Sequence, residues 1–258
     1  MTRMQLFELE DMPWLPDSLR DAGTDFLRTL MALAKPYARV VPRLAEAVEA
    51  SGATSIIDLC SGGGGPIVHV RNGLLEAGCD VPLTMSDLYP NRKAFAHVRR
   101  QAGEGVDFIA EPVDATAVPE HLSGFRTLFT SFHHFAPPHA TRILQDAVEH
   151  RRGIGIFEIT ERMPASFLLA FANIFLVLLM APFTRPFRWS RLFWTYLPPV
   201  APLFVWWDGF ASIFRSYTVD ELRAMVDALP PNDYVWQIGR EPTRPLRITY
   251  LIGYPKPR

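Results

Sequence analysis

Cysteine, basic excess and sequence repeats are all scarce in this chain, and each scarcity removes a class of function. Of 258 residues only two are cysteine, Cys60 and Cys79, and their spacing makes no metal-binding pair. They read as reduced thiols of a cytoplasmic protein. Lysine and arginine total 26 against 27 acids, for a net charge of −1 and a pI near 6.7. No basic face is therefore advertised to nucleic acid. Residues 1–13 carry acids and lack the apolar core of a signal peptide. No internal repeat or low-complexity linker divides the chain, whose length suits one α/β domain with additions.

What is present begins at Ile56-Ile57-Asp58-Leu59-Cys60-Ser61-Gly62-Gly63-Gly64-Gly65. An apolar β-type segment ends in a carboxylate and breaks into glycine, where backbone can take positive φ and approach a ligand closely. Pro66 to Ala77 reads as the helix that follows, with Pro66 in its first turn. Strand, glycine turn and helix form the nucleotide-binding edge of an α/β sheet. The spacing disfavours a dinucleotide, because Ile67 stands where a third glycine belongs. No lysine follows the loop, so it is not a P-loop. Asp58 would repel a phosphate and suits a cationic ligand, such as an amino acid carrying a sulfonium.

The segment resembles motif I of the class I S-adenosylmethionine-dependent methyltransferases. Asp58, Gly62 and Gly64 match that motif, while Cys60 replaces its first glycine, which requires a dihedral that an L-residue tolerates. Further marks follow in order. Leu83 to Leu88 is a second strand whose acid, Asp87, suits the ribose hydroxyls. Val106 to Ile109 leads to Val113-Asp114-Ala115, where the resemblance puts an adenine contact at Asp114. Thr127 to Phe135 resembles the fourth strand and its loop, Ile154 to Glu158 the fifth. A helix from Val219 to Leu229, capped by Thr218 with Glu221 three residues on, precedes a closing strand pair. Tyr234 to Ile238 and Leu246 to Ile252 form that pair around a turn with Pro242 and Pro245.

The resemblance, which covers roughly residues 50–253 less one insertion, implies a Rossmann-like seven-stranded α/β sheet with an antiparallel last strand. N-terminal helices precede it and a hydrophobic helical insertion follows strand five. It divides the chain into an N-terminal helical cap (1–50) and a methyltransferase domain (51–253), with the insertion at 163–216. It implies S-adenosyl-L-methionine as cofactor, bound by Asp58, Cys60, Ser61, Gly62, Gly64, Asp87, Leu88, Asp114, Ala115 and Ser131.

Two helices, about Asp17 to Ala34 and Tyr37 to Ala50, precede the sheet, each with one broad apolar face. The insertion is the second informative region. Met163 to Thr184 has no charged residue, and a basic, aromatic turn follows it. A second apolar run, Leu192 to Trp207, is interrupted by Pro198, Pro199 and Pro202. Three readings compete. It is a cap over an apolar acceptor pocket, a homodimer interface, or a peripheral membrane contact with Arg185, Arg188, Trp189 and Arg191 at the headgroups. The cap is preferred, and a single membrane span is awkward because sheet elements flank the segment on both sides.

For acid/base work the candidates are His133 and His134 after strand four, and Glu158 at the end of strand five. Glu158 reads equally as an ion-pair partner of Arg162, four residues on, and Asp208 as a helix cap or a pocket acid. The expected function is methyl transfer to an oxygen or nitrogen of a small, lipophilic molecule in the cytoplasm. The alternatives are a non-catalytic module that keeps the fold for interaction or membrane tethering, and an NAD(P)-dependent oxidoreductase.

Overall fold

The computed structural model describes residues 1–243 and 247–256. Pro245 and Leu246, assigned above to the closing turn and strand, lie outside the described residues. Seven strands form one sheet: β1 (Ile56–Asp58), β2 (Leu83–Met85), β3 (Val106–Phe108), β4 (Phe125–Phe129), β5 (Ile154–Glu158), β6 (Tyr234–Pro242) and β7 (Arg247–Pro255). Their order is β3-β2-β1-β4-β5-β7-β6. The first five are parallel, and β7 is antiparallel to both β5 and β6. β1, β4 and β5 are buried along their whole length, as parallel strands covered on both faces must be.

The strand order reverses direction at β1, between β2 and β4. A crevice opens at the carboxyl ends of the strands at such a switch point.

Helices α1 (Asp17–Ala34), α2 (Val41–Ala50), α3 (Ile67–Glu76), α4 (Arg92–Ala102) and α5 (Pro137–Glu149) come next in chain order. They are followed by α6 (Pro164–Met180), α7 (Trp189–Tyr196), α8 (Val200–Arg215) and α9 (Val219–Asp227). α2, α3 and α4 pack on one face of the sheet and α5 and α9 on the other, each around its own apolar cluster. A third cluster lies off the sheet: Leu15, Leu19 and Phe26 pack with Val177 of α6 and Ala201, Phe204 and Val205 of α8. The N-terminal helix and the insertion thus form one roof over the crevice.

Several boundaries differ from those read in the sequence, each for a physical reason. β4 starts at Phe125 because Arg126 is buried within the strand, its guanidinium 2.5 Å from Asp146 of α5. A charge at that position hides the strand's beginning. The second N-terminal helix opens with a 3-10 turn, Pro36–Arg39, after Lys35 closes α1 in the left-handed region. The second apolar run is two helices broken at Leu197 to Pro199, and Pro202 interrupts neither. It sits in the first turn of α8, where its missing N–H has no intrahelical partner to lose. α9 begins with the Thr218–Glu221 capping box that the spacing predicts.

Candidate active site

The glycine loop is shaped by what surrounds it. Gly62 and Gly64 have φ of +55° and +73°, and Cys60 has φ of +56°. Cys60 therefore holds the left-handed conformation that glycine takes without cost. A Cβ on Gly64 would stand 3.0 Å from both Met85 Sδ and Val98 Cγ2. Gly64 accordingly serves the packing of the loop on β2 and α4 and does not line the cavity. A Cβ on Gly63 would meet the Thr24 carbonyl oxygen at 2.6 Å, so α1 lies directly on the loop.

Asp58 is placed differently from the sequence reading. It is buried beneath the loop, with Oδ2 accepting from Ser61 Oγ at 2.6 Å and Oδ1 from Thr127 Oγ1 at 2.8 Å. Burial pushes its pKa up to about 7. It pins the loop rather than facing a ligand. Asp87 does face the cavity. Its Oδ2 accepts from Gly62 N at 2.7 Å and its Oδ1 from Tyr89 N at 2.8 Å, and burial raises its pKa despite these bonds. Asp114 and Ala115 stand beside the same strand end, since Val113 N donates to the Asp87 carbonyl. Neither lines the cavity, and Asp114 turns its Oδ1 to Thr116.

Two cavities meet over the sheet. The first, about 260 Å³, is lined by Cys60, Ser61, Gly62, Asp87, Leu88 and Ser131, and by Thr24 and Arg28 of α1. Ser131 is buried and its hydroxyl has no hydrogen-bond partner among the described residues. The second, about 320 Å³, lies between α1, α6 and α8 and is mainly apolar, with Leu30, Leu169, Leu176, Phe204 and Ile213 in its wall. Glu10, Leu27, Met31, Thr130 and His134 line both. Thr130 is a β-branched residue at φ +49°, a genuine outlier for its type, held by hydrogen bonds to Tyr37 and to Ile159 N.

The sequence gives little sign of what closes the seam. Residues 3–11 run along α8 as a strap. Leu9 N and Glu10 N donate to the two oxygens of Asp208 at 2.8 and 2.9 Å. Trp207 Nε1 donates to the Phe7 carbonyl, and Ser212 Oγ to Glu8 Oε1. Asp208 is thus neither a helix cap nor a free pocket acid. It anchors the strap, and burial pushes its pKa up to about 7.

The histidine pair sits in this network with distinct roles. His133 Nδ1 is 2.6 Å from Glu158 Oε2, while Glu158 Oε1 accepts from Ser131 N and Phe132 N. Glu158 lines neither cavity; it fixes the loop and the His133 ring, and Arg162 pairs with Glu221 instead. His134 Nδ1 lies 2.7 Å from Glu8 Oε2 and 2.8 Å from Asp11 Oδ1. Burial opposes its charge, but the two carboxylates outweigh that and hold its pKa well above the ordinary imidazole value. A histidine so paired stays protonated at neutral pH and is a poor base.

Arg215, almost wholly buried, donates to Asp11 Oδ2 at 2.7 Å, to the His133 carbonyl at 3.1 Å and to the His134 carbonyl. Glu8, His133 and His134 could each turn one ligand atom to a common point. The Arg215 guanidinium is only 3.4 Å from Glu8, so these groups are already neutralised without a metal.

The group best placed for proton transfer escaped the sequence reading. Glu10 has its backbone clamped, the N–H by Asp208 and the carbonyl by Arg20 Nε at 3.2 Å. Glu10 lines both cavities and is half-buried. Burial pushes its pKa up to about 8, opposed by His134 and reinforced by Asp208, Asp87 and Glu8.

The sheet order, the glycine loop and the acid at the end of β2 together are the fold of the class I S-adenosylmethionine-dependent methyltransferases. Among solved structures the chain is similar to human N-acetylserotonin methyltransferase in complex with SAM. The identity is 12%, with 91% of this chain and 56% of that one covered and a TM-score of 0.52. It is also similar to PigF with SAH, at 14% identity, 93% and 62% coverage and a TM-score of 0.53. A protein of Rhodobacter sphaeroides named provisionally as a Zn-dependent alcohol dehydrogenase matches at 13% identity, 93% and 98% coverage and a TM-score of 0.53. The chain therefore spans about three fifths of the first two of these structures. No family model matches it, and no curated protein does. Likeness at these identities establishes the fold, and chemistry has to be argued from the site.

Proposed function

We propose that this chain is an S-adenosylmethionine-dependent methyltransferase acting on an oxygen or nitrogen of a small, lipophilic molecule. The observation that carries the proposal is the meeting of two unlike cavities at Glu10, Thr130 and His134. One is walled by a glycine turn and an acid, the other by apolar side chains, and a group-transfer enzyme needs donor and acceptor to touch at one point.

The donor cavity fits an adenosyl amino acid in its polar atoms. Asp87 keeps lone pairs for two ribose hydroxyls, Ser131 Oγ is an unused buried hydroxyl, and Gly62 and Gly63 border the space. Asp11 and Asp87 put negative charge on the wall, which suits a cation. Leu88, Cys60 and Ser61 border the same space, with Asp114 and Ala115 beside it for the adenine end. When bound, S-adenosylmethionine supplies a methyl group on a sulfonium, an electrophile that needs no further activation.

The chain's own contribution is alignment, dryness and a proton acceptor. Leu27 and Met31 close the seam with apolar side chains, which exclude water from the transfer. Glu10 takes the proton from the acceptor's hydroxyl or ammonium, and its pKa near 8 suits a base working near neutral pH. Protonated His134 holds the strap beside it, and His133 is positioned by Glu158. Two neighbours in fold are named as bound to SAM or SAH, which supports the donor. The dehydrogenase alternative has Ile67, fully buried, where a dinucleotide loop needs glycine.

Calorimetric titration with S-adenosylhomocysteine tests the reading. The chain should bind it, and Asp87→Ala should weaken binding by about 100-fold, the loss of two hydrogen bonds to a charged group. Binding of NAD(P)H with no response to S-adenosylhomocysteine would reverse the assignment.

A further inference from the structure

α6 has two different apolar faces. Ser166, Leu169, Ala170, Asn173 and Leu176 turn to the acceptor cavity, and Phe167 packs on Phe210 and Phe214 of α8. The opposite side carries Leu168, Phe171, Phe175 and Leu179 at helical spacing, each half or more exposed. α7 continues the exposed surface with Trp189, Phe193 and Tyr196. The Tyr196 hydroxyl donates to the Leu178 carbonyl at 2.6 Å, so the outer sides of the two helices adjoin.

The most exposed apolar side chains stand at turns and helix ends: Phe183 at 75%, Trp189 at 78% and Leu197 at 74%. An apolar patch of this extent marks an interaction surface. Protruding apolar tips beside half-exposed aromatics suit a soft, deformable partner better than a second rigid protein.

Charge on this surface has one sign. Between Met163 and Trp207 there is no acid and no lysine, only Arg185, Arg188 and Arg191. Arg191 is buried and Arg188 mostly so. They turn inward to Asp25, at 2.8 and 2.9 Å, with Arg188 also 2.8 Å from Asp21. This corrects the sequence reading that set both at the headgroups. Arg185 remains exposed between Phe183 and Phe187. No helix among the described residues is long and apolar enough to cross a membrane, which leaves in-plane contact.

We propose that the outer face of α6 and α7 docks on an anionic lipid bilayer, with Phe183, Trp189 and Leu197 inserted among the acyl chains and Arg185 at the headgroups. Leu169 is exposed, lines the acceptor cavity and neighbours Leu168 of the docking stripe. A lipophilic molecule therefore has a short apolar route from the bilayer into the cavity. That route rests on the methyltransferase reading; docking itself needs no donor, so the two fail separately.

Flotation of the whole chain with vesicles of equimolar phosphatidylcholine and phosphatidylglycerol tests the proposal, beside phosphatidylcholine alone. The protein should float with the mixed vesicles and much less with the neutral ones. The double variant Phe175→Asp, Leu179→Asp should lose about tenfold or more in bound fraction, about 1.4 kcal/mol. Its melting temperature should stay unchanged, because both side chains are exposed. Arg185→Glu should reduce flotation on the mixed vesicles alone. Protein left at the bottom with both compositions overturns the proposal, as does equal flotation on both, or a double variant that floats like the parent. A concentration-dependent dimer that the double variant dissociates, without flotation, assigns the face to a second copy instead.

Discussion

The donor cavity and the acceptor cavity share a wall but are built by different means. The donor side is made largely of backbone: a glycine turn, two strand ends, and an acid, Asp87, whose oxygens are held by the N–H groups of Gly62 and Tyr89. These parts lie at one sheet edge, beneath Thr24 and Arg28 of α1, and are demanded by local geometry. The acceptor side is made of side chains from segments far apart in the chain, with the strap at 3–11 pinned to α8 about 200 residues later. One site is a property of the fold. The other is a property of this sequence.

Breaking the charge network that holds the strap should have the largest effect. Arg215→Ala leaves Glu8 and Asp11 without their guanidinium and strips two carbonyls of their donor. Loss of one partner of a buried charge network costs about 3–5 kcal/mol, so the melting temperature should drop by many degrees. Limited proteolysis should then cut near residues 3–11, while S-adenosylhomocysteine still binds to whatever fraction remains folded.

Glu10→Gln separates chemistry from assembly. The backbone clamps on residue 10 survive, so stability should change little. Methyl transfer to a panel of lipophilic phenols and amines should fall by about 100-fold. The parent's kcat/KM should rise with pH up to about 8, and the variant's profile should be flat there. An unchanged profile would move the base elsewhere.

These two predictions depend on residues the sequence does not single out, and the reason is physical. A loop glycine or a strand-end acid answers to its neighbours in the chain, so Gly62, Gly64 and Asp87 can be recognised by spacing. Glu10 becomes notable only when Asp208 holds it at a seam. Arg188 and Arg191 look like a solvent-facing basic turn until Asp21 and Asp25 of α1 are seen beneath them. Cavity lining was misjudged even on the legible side: Asp58 and Gly64 belong to the motif, yet they shape the loop from below. Thr130, strained at the junction, has no signal in the sequence at all.

Stability without donor should follow the buried carboxyls. Asp58, Asp208 and Glu10 have folded pKa values raised to about 7, 7 and 8. Their contribution is therefore complete below about pH 4 and lost as pH rises through 7 to 8. Glu8 and Asp11 act oppositely. Their pKa values are lowered, burial being outweighed by His134, with Arg215 adding to the effect, so their contribution is lost in acid. The melting temperature should peak near about pH 4, where the unfolded-state carboxyls titrate, and decline toward pH 8. Asp58→Asn should make that decline shallower without moving the acid limb.

Cys60→Gly is the mildest test and should have the opposite sign. It relieves an L-residue of a left-handed conformation, at some expense in chain entropy. A net gain of up to about 1 kcal/mol is expected, visible as a small rise in melting temperature with donor binding retained.

The bare contact between Gly63 and the Thr24 carbonyl has a consequence for how such a protein could diversify. The roof helix and the loop are matched surfaces with no tolerance for a methyl group between them. A lid borrowed from another chain of this fold would have to bring an equally flat stretch of helix to that spot. The cavity-facing side chains of α6, such as Leu169 and Leu176, meet no such close backbone contact and can change in size while the first helix stays locked to its loop.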